Sequence, residues 1–374
     1  MPVIPLSDIP CVRILGRSPL NQDGLTLFWP ASGIEFLFSG SSLCLDYRAD
    51  FSSMEPWLSA ELNGRRLIRM PLNKGEGRVC LFRGMRPGLV KHIRILKDTQ
   101  AMYDDPQQLL QFQALAFPDG AFKPLKEAPY YFEFIGDSIT SGEGAIGAPC
   151  EEDWISAFFT VIPNYAVLTA DAFGADFSLI SHSGWGLVSN WANNIHCTIP
   201  GHYELLCGPA RGPRNRALGA QEAYDFTSRK TDAVLINLGT NDAAAFDNPP
   251  FYDPESGRRY KLRRLPDGRR HPEDEEKIIR RTEAFLKTLR RLNPEAALIW
   301  LYGMLGNGIA DLAAEGIRRY RAETKDPRVF MHKLPEMTEA GRGARQHPGA
   351  PAHRAAAASL ISFLQEKGFC PKEV

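Results

Sequence analysis

The feature that most constrains the fold of this chain is a change of pattern near Pro124. Before it, short runs rich in Phe, Leu, Ile and Val are separated by turn signals such as SGSS, LNGR and NKGEG, which is typical of antiparallel strands. After it, apolar strand-like runs alternate with amphipathic helical stretches, which indicates a parallel sheet covered on both faces. We therefore predict two domains: an all-β sandwich of the jelly-roll type over residues 1–126, and an α/β domain over 127–374.

Two kinds of segment support the α/β prediction. The parallel strands are expected at YYFEFIG, FSLISHS, AVLINLG, ALIWLYG and VFMHKL. Helices are expected between and after them, and EKIIRRTEAFLKTLRRL shows the clearest period, with one apolar face made of Ile278, Ile279, Thr282, Phe285, Leu286 and Leu289. That spacing predicts a helix packed on a core.

Composition excludes several classes of function. Forty-four basic and forty-four acidic residues cancel, so no whole-chain field attracts nucleic acid or an anionic membrane. The N-terminus lacks the pattern of a signal peptide and no run is long enough to span a bilayer, which predicts a cytoplasmic protein. Seven scattered cysteines without a C-x-x-C pair, no H-E-x-x-H and no phosphate loop predict neither a metal nor a cofactor.

Ligands of such a sheet bind at the carboxyl ends of its strands. Three predicted strand ends carry small or polar residues: GDS at 136–138, SGWG at 183–186 and GTND at 239–242. Ser138 is either a nucleophile or a helix cap. It lies outside the G-x-S-x-G elbow of the α/β hydrolases, because the residue two places on is Thr140.

Four blocks appear in order along the second half: GDSIT, SHSGWG, NLGTND and QHPGAPAH. Together they resemble the SGNH (GDSL-type) hydrolases. The preceding sandwich, with FWPASGIEFLFSG, KDTQ and the later YGMLG, makes the chain similar to carbohydrate esterase family 2. The resemblance implies a three-layer α/β/α hydrolase domain and a serine esterase that removes acetyl groups from carbohydrates.

The same resemblance implies the roles of four residues. Ser138 is the nucleophile, His347 is the general base, and the backbone amides of Ser138 and Gly184 form the oxyanion hole with the Asn241 side chain. Gly186 replaces Gly184 if the loop register differs. His353 is the alternative base, although a histidine inside a helix is more often a buried hydrogen-bonding residue.

One position departs from the commoner SGNH pattern, which places an aspartate three residues before the base. Here that residue is Ala344. Either a backbone carbonyl, as in some members of carbohydrate esterase family 2, or another acid such as Glu339 orients the imidazole, or the enzyme is weak. Asp137 and Asp242 are expected to bond loop amides around the site.

The second block also carries groups suited to a sugar, since aromatic faces stack on pyranose rings and amides bond hydroxyls. We predict that Trp185, Asn190 and Trp191 bind an acetylated oligosaccharide. The arginine-rich stretch at 257–281 contains Pro266 and an acidic run, which favours a solvated insertion over a nucleic-acid surface. The oligomeric state is not predicted.

Two other functions remain open from the sequence. A hydrolase of this fold could act on lipid or thioester substrates, although no long apolar lid is present. Alternatively, the chain could be a sugar-binding protein whose catalytic half has decayed, a reading that Ala344 supports.

Overall fold

The computed structural model describes residues 1–372, and its internal contacts divide the chain into two units. The β unit comprises Met1–Ala128, Asp153–Ile162 and Leu205–Tyr224. The α/β unit comprises Pro129–Glu152, Pro163–Glu204 and the chain from Asp225 onward. The predicted boundary after residue 126 lies two residues before the first of these divisions.

The β unit contains two antiparallel sheets of six strands each. The twelve strands are β1 (Val3–Pro5), β2 (Arg13–Leu15), β3 (Leu20–Asn21), β4 (Gly24–Thr26), β5 (Gly33–Phe38), β6 (Leu43–Asp50), β7 (Trp57–Leu62), β8 (Arg65–Pro71), β9 (Gly75–Phe82), β10 (Lys91–Lys97), β11 (Leu109–Ala116) and β12 (Phe122–Lys123). One sheet runs β3-β4-β11-β6-β9 with β1 paired to β11, and the other runs β12-β5-β10-β7-β8 with β2 paired to β5. The predicted antiparallel sheets are present, and the jelly-roll connectivity stays a prediction.

One apolar core joins the two sheets of this unit. Phe36 and Ile95 from one sheet and Leu45 and Phe112 from the other are at most 1% exposed and belong to the same cluster. Side chains that alternate inward from both sheets produce this arrangement.

Two later segments of the chain also pack in the β unit. The buried carboxylate of Asp98 accepts hydrogen bonds from Thr160 Oγ1 at 3.0 Å and from the Val161 amide at 2.8 Å. Trp29 Nε1 donates to the Leu206 carbonyl at 2.6 Å. These polar contacts hold 153–162 and 205–224 against residues that precede them by 62 to 177 positions.

The α/β unit is built on a five-stranded parallel sheet, as the sequence predicts. Its strands are β13 (Tyr131–Gly136), β14 (Asp176–Ser181), β15 (Ala233–Asn237), β18 (Ala297–Met304) and β19 (Val329–Glu336), in the order β14-β13-β15-β18-β19. A separate hairpin is formed by β16 (Phe251–Asp253) and β17 (Arg258–Tyr260). The strands β14, β13 and β15 are neighbours in the parallel sheet, so their carboxyl ends lie at one edge. The motifs SGWG, GDS and GTND follow these strands in that order.

Within the described residues, 1–372, eight α-helices accompany the strands. They are α1 (Ser138–Ser141), α2 (Tyr165–Phe173), α3 (Ile199–His202), α4 (Pro213–Ala217, in the β unit), α5 (Thr240–Ala245), α6 (Pro272–Leu292), α7 (Ala310–Thr324) and α8 (Ala350–Glu366). In the α/β unit α2 packs against α8 and α6 against α7, which agrees with the predicted three layers. All six residues of the predicted apolar face of α6 are buried. None of the helices within residues 1–372 combines the length and apolar character needed to cross a bilayer.

The arginine-rich insertion is held by ion pairs within the α/β unit. Arg263 bonds the buried carboxylate of Asp274 at 2.8 Å, and Arg264 bonds Asp247 at 2.6 Å. Arg270 bonds Glu275 at 2.9 Å. These guanidinium groups are already neutralised by local acids, as expected of a solvated insertion.

Candidate active site

Ser138 lies at the carboxyl end of β13, where the chain turns directly into α1. The Asp137 side chain caps that helix by accepting the Ile139 amide at 3.0 Å. A Cβ at position 136 would lie 2.0 Å from Thr140 Oγ1, so only glycine permits this tight turn. The Ser138 side chain is largely buried at the edge of the sheet where the strand ends converge.

His347 meets Ser138 directly. Its Nε2 lies 2.9 Å from Ser138 Oγ, and its Nδ1 lies 2.7 Å from the carbonyl oxygen of Arg345. A carbonyl oxygen only accepts hydrogen bonds, so Nδ1 carries the proton and Nε2 presents a lone pair to the serine hydroxyl. This is the tautomer that a general base for Ser138 requires.

The orienting group is therefore a backbone carbonyl, one of the two alternatives that the sequence left open. Ala344 is fully buried and brings no carboxylate. The Glu339 side chain is 77% exposed and pairs with Arg342 at 2.8 Å. Glu339 therefore does not serve as the substitute acid.

Gly144 allows the turn that carries His347 to come close. Its φ is +67°, and a Cβ there would lie 2.2 Å from the Ala344 carbonyl oxygen and 2.6 Å from His347 Cβ. Gly343 likewise has no room for a side chain, since a Cβ there would lie 1.9 Å from the Gly144 carbonyl oxygen. The two glycines bring the turn at 343–347 into backbone contact with the loop after α1.

The three predicted oxyanion donors lie in the segments that follow β13, β14 and β15. Among the described residues, the backbone N–H groups of Ser138 and Gly184 donate to no protein acceptor. Gly184 has φ +78°, a conformation that glycine adopts without strain. Asn241 Nδ2 donates to the Trp185 carbonyl at 2.9 Å and to Asp137 Oδ2 at 3.3 Å. Because both partners are acceptors, the NH2 end of the Asn241 amide faces the turn at Asp137 and Ser138.

Both acids near the site bond amides, as predicted. The buried carboxylate of Asp242 accepts the amides of Leu187 and Val188 at 2.7 Å each and that of Ser189 at 3.4 Å. Burial raises the pKa of Asp242, and burial also raises the pKa of Asp137 to about 7. A Cβ at Gly186 would lie 2.4 Å from Asp242 Oδ2, so Gly186 is needed for this packing.

The alternative base, His353, is a buried structural residue inside α8. Its Nδ1 accepts the Tyr165 amide at 3.2 Å and its ring stacks on the Tyr165 ring. Burial lowers the pKa of His353 to about 3, so the ring is neutral at ordinary pH. These contacts agree with the helical reading of this histidine.

The predicted sugar contacts occupy very different environments. Trp185 is only 3% exposed and lies between the rings of His182 and His202, at centroid distances of 4.6 and 4.9 Å. Asn190 Oδ1 accepts the amides of Ala192 and Asn194 at 2.9 and 2.8 Å. The side chains of Trp185 and Asn190 therefore support the loop. Their contact with a sugar stays a prediction, and their contacts within the protein disfavour it.

Trp191, in contrast, is 51% exposed. It packs beside the candidate oxyanion glycine: its amide donates to the Gly184 carbonyl at 3.1 Å, and a Cβ at Gly184 would lie 3.0 Å from Trp191 Cδ1. Of the two tryptophans, Trp191 is the one with an accessible ring beside Gly184.

Two residues at the site escaped the sequence reasoning. The carbonyl of Arg345 carries no signal in the side-chain pattern, since every residue has one. Glu143 belongs to the GEG run, but its sequence neighbours do not predict that its side chain is buried, with Oε2 4.0 Å from His347 Nε2. No group of three or more possible metal ligands occurs within residues 1–372.

Comparison with known proteins gives several full-length similarities. An acetyl xylan esterase from the rumen bacterium Butyrivibrio proteoclasticus is 40% identical, with 98% of each chain covered and a TM-score of 0.96. A family two carbohydrate esterase from Clostridium thermocellum in complex with cellohexaose has the same fold at 23% identity and a TM-score of 0.78, over 95% of this chain and 98% of the other. A cellulase/esterase of Acetivibrio thermocellus is 25% identical over 375 residues and covers 97% of this chain, which spans 40% of that protein's length. No family model matches the chain.

Proposed function

The chain belongs to carbohydrate esterase family 2, a family of carbohydrate acetyl esterases, and from this premise we propose that it removes O-acetyl groups from acetylated oligosaccharides with Ser138 and His347 as a catalytic dyad. The observation that carries the proposal is the continuous chain from Ser138 Oγ to His347 Nε2 and from Nδ1 to the Arg345 carbonyl, at 2.9 and 2.7 Å. A protein that only binds sugars does not need these hydrogen bonds, so their presence favours a catalytic site.

In the first half of the reaction Ser138 Oγ attacks the carbonyl carbon of the acetyl ester. His347 Nε2 takes the hydroxyl proton, while the Arg345 carbonyl holds the ring through Nδ1. The oxyanion receives hydrogen bonds from the Ser138 and Gly184 amides and from Asn241 Nδ2, whose longer bond, to Asp137 at 3.3 Å, is the one readily exchanged. Collapse transfers the proton from His347 to the departing sugar hydroxyl and leaves acetyl-Ser138.

In the second half a water molecule takes the place of the sugar. His347 Nε2 accepts a proton from the water, whose oxygen attacks the acetyl carbonyl. Collapse of the second tetrahedral intermediate releases acetate and returns the proton to Ser138 Oγ. The same donors serve both oxyanions, because both form at the same carbonyl oxygen.

A carbohydrate as the leaving group is supported by Trp191. An exposed indole beside the candidate oxyanion glycine, Gly184, offers a flat apolar face for a pyranose ring. We expect Trp191→Ala to raise KM for an acetylated oligosaccharide roughly 2- to 10-fold and to leave the hydrolysis of p-nitrophenyl acetate unchanged. Equal effects on both substrates would show that the indole does not contact the sugar.

The direct test is acetate release from acetylated xylo-, manno- and gluco-oligosaccharides by the wild-type protein and by Ser138→Ala. The proposal requires rapid release by the wild type and none above background by the variant. Equal, slow release by both proteins would instead support a sugar-binding protein with a decayed catalytic half.

A second panel, of esters with acyl chains of increasing length, separates the acetyl esterase from a lipid or thioester hydrolase. We expect acetyl esters to be preferred, and a preference for long chains would refute the proposal. A cytoplasmic location, with imported oligosaccharides as substrates, remains a prediction that cell fractionation tests.

A further inference from the structure

A partly buried ion pair lies beside the dyad. Glu143 follows α1 closely and is only 3% exposed. Its Oε1 accepts a hydrogen bond from Arg345 Nε at 2.7 Å, and its Oε2 lies 4.0 Å from His347 Nε2. The carboxylate therefore contacts the residue whose carbonyl orients the imidazole and also lies near the nitrogen that exchanges the proton.

The backbone of Arg345 needs support from such contacts. Its φ and ψ are 54° and 37°, and Gln346 also has a positive φ, of 57°. Two successive non-glycine residues in the left-handed region are unfavourable unless the surroundings impose the conformation. This conformation determines where the Arg345 carbonyl points.

Three contacts to Glu151 and Glu152 also hold this turn. The Arg345 amide donates to the Glu151 carbonyl at 2.7 Å, and Arg345 Nη1 donates to the Glu152 carbonyl at 2.8 Å. Gln346 Nε2 donates to Glu152 Oε1 at 2.7 Å. All of these partners are accessible to solvent, whereas Glu143 is the buried partner that faces the dyad.

We propose that Glu143 and Arg345 are a positioning pair that replaces the missing aspartate of the triad. The ion pair holds the Arg345 carbonyl on His347 Nδ1, and the Glu143 carboxylate balances the positive charge that the ring gains when it takes the Ser138 proton. The inference rests on the proposed acyl-transfer function and adds the groups that make a Ser-His dyad sufficient.

The charge balance around the ring gives the inference a signature. Removing the Glu143 charge leaves the Arg345 guanidinium unopposed and disfavours the protonated ring. Removing the Arg345 charge leaves the carboxylate unopposed 4.0 Å from Nε2 and favours the protonated ring. The acid limb of the pH profile of kcat/KM, where the base becomes protonated, should therefore move in opposite directions in the two variants.

The other titratable groups near the ring are not substituted in any of the variants. Burial lowers the pKa of His182 to about 4 and that of His353 to about 3, so both are neutral over the working range. Burial raises the pKa of Asp137 to about 7, and the nearby Glu143 charge adds to that rise. Loss of the Glu143 charge therefore moves Asp137 in the same direction as the acid limb.

The experiment measures kcat and kcat/KM against pH for p-nitrophenyl acetate with Glu143→Gln, Arg345→Gln and the double variant. We expect each single variant to lose roughly 10- to 10²-fold in kcat because the imidazole is less well placed. The acid limb should move to lower pH in Glu143→Gln and to higher pH in Arg345→Gln. The double variant should return the limb close to its wild-type position without recovering kcat.

Two further variants act as controls. Glu339→Gln removes a carboxylate from a neighbouring ion pair that does not face the dyad, and it should change neither kcat nor the profile. Arg345→Lys keeps the charge but loses the guanidinium geometry, so the limb should stay in place while kcat falls.

Other outcomes refute the pair. Wild-type kcat in both single variants would overturn the inference. Equal losses of kcat, with the acid limb unmoved or moved in the same direction in both variants, would also overturn it, since they indicate a purely structural role. If the wild type itself hydrolyses no ester, or if Ser138→Ala is as active as the wild type, the proposed function fails and not the pair alone.

Discussion

Replacing Gly144 by alanine tests whether backbone contact between two loops places the general base. The added Cβ would lie 2.2 Å from the Ala344 carbonyl oxygen and 2.6 Å from His347 Cβ, whereas ordinary contacts begin at about 3.4 Å. The turn must therefore move by about 0.8 to 1.2 Å (3.4 minus 2.6 and 3.4 minus 2.2). A misplacement of about 1 Å in a catalytic group costs roughly 10²-fold in rate. We therefore expect kcat for acetyl esters to fall about 10²-fold.

The same substitution should also lower the free energy of unfolding. A non-glycine residue in the left-handed region costs about 1–2 kcal/mol, and overpacking adds about 1–3 kcal/mol. The expected loss is about 2–5 kcal/mol, measured by denaturant titration. The variant should still fold in the cold.

Gly174→Ala is the matched control for this prediction. Gly174 has φ +61°, close to that of Gly144, but a Cβ there would meet its nearest neighbour at an ordinary 3.7 Å. This variant should lose only the backbone contribution, about 1–2 kcal/mol, and keep wild-type kcat. Wild-type kcat in folded Gly144→Ala, or an equal loss of kcat in the control, would refute the claim that this contact places His347.

Two further predictions concern the same domain. Asn241→Ala should slow kcat by about 10²- to 10³-fold, which corresponds to about 2.7–4 kcal/mol for one oxyanion donor, with circular dichroism confirming the fold; full activity would remove Asn241 from the site. His353→Gln should change how the free energy of unfolding depends on pH. Because burial lowers the pKa of His353 to about 3, below about pH 6.5 the unfolded chain binds a proton at this residue and the native protein does not. The wild type therefore has a stabilising contribution that is present above that pH and is lost as the pH falls. Between about pH 6 and 4 the unfolding free energy of the wild type should therefore fall more steeply than that of the variant, by up to about 1.4 kcal/mol per pH unit, and parallel curves would contradict the buried neutral state of this histidine.

Much of the fold follows from local pattern. The five strands of the parallel sheet were predicted from apolar runs, and α6 was predicted from six residues at helical spacing, all of which are buried. Strand and helix periods are properties of neighbouring residues, so they can be read without knowing what the element packs against. The rule that ligands bind at strand ends then directed attention to Ser138, and the block order to His347.

Other features depend on contacts between residues far apart in sequence. Trp185 and Trp191 look equivalent in the sequence, but one ring is buried between two histidines and the other is half exposed. The segments 153–162 and 205–224 follow the start of the α/β pattern, yet they pack in the β unit. Burial and partner choice are decided by the whole fold, so residue type alone does not distinguish these cases.

The orientation of His347 shows the same division most clearly. The residue pattern alone predicts a serine at a strand end and a histidine just before the last helix, and it shows that position 344 is not an aspartate. That the carbonyl of Arg345 takes the place of this aspartate, with Glu143 and Gly144 holding the turn, is visible only in the folded chain. Every residue has a carbonyl, and its direction depends on backbone angles that distant contacts impose.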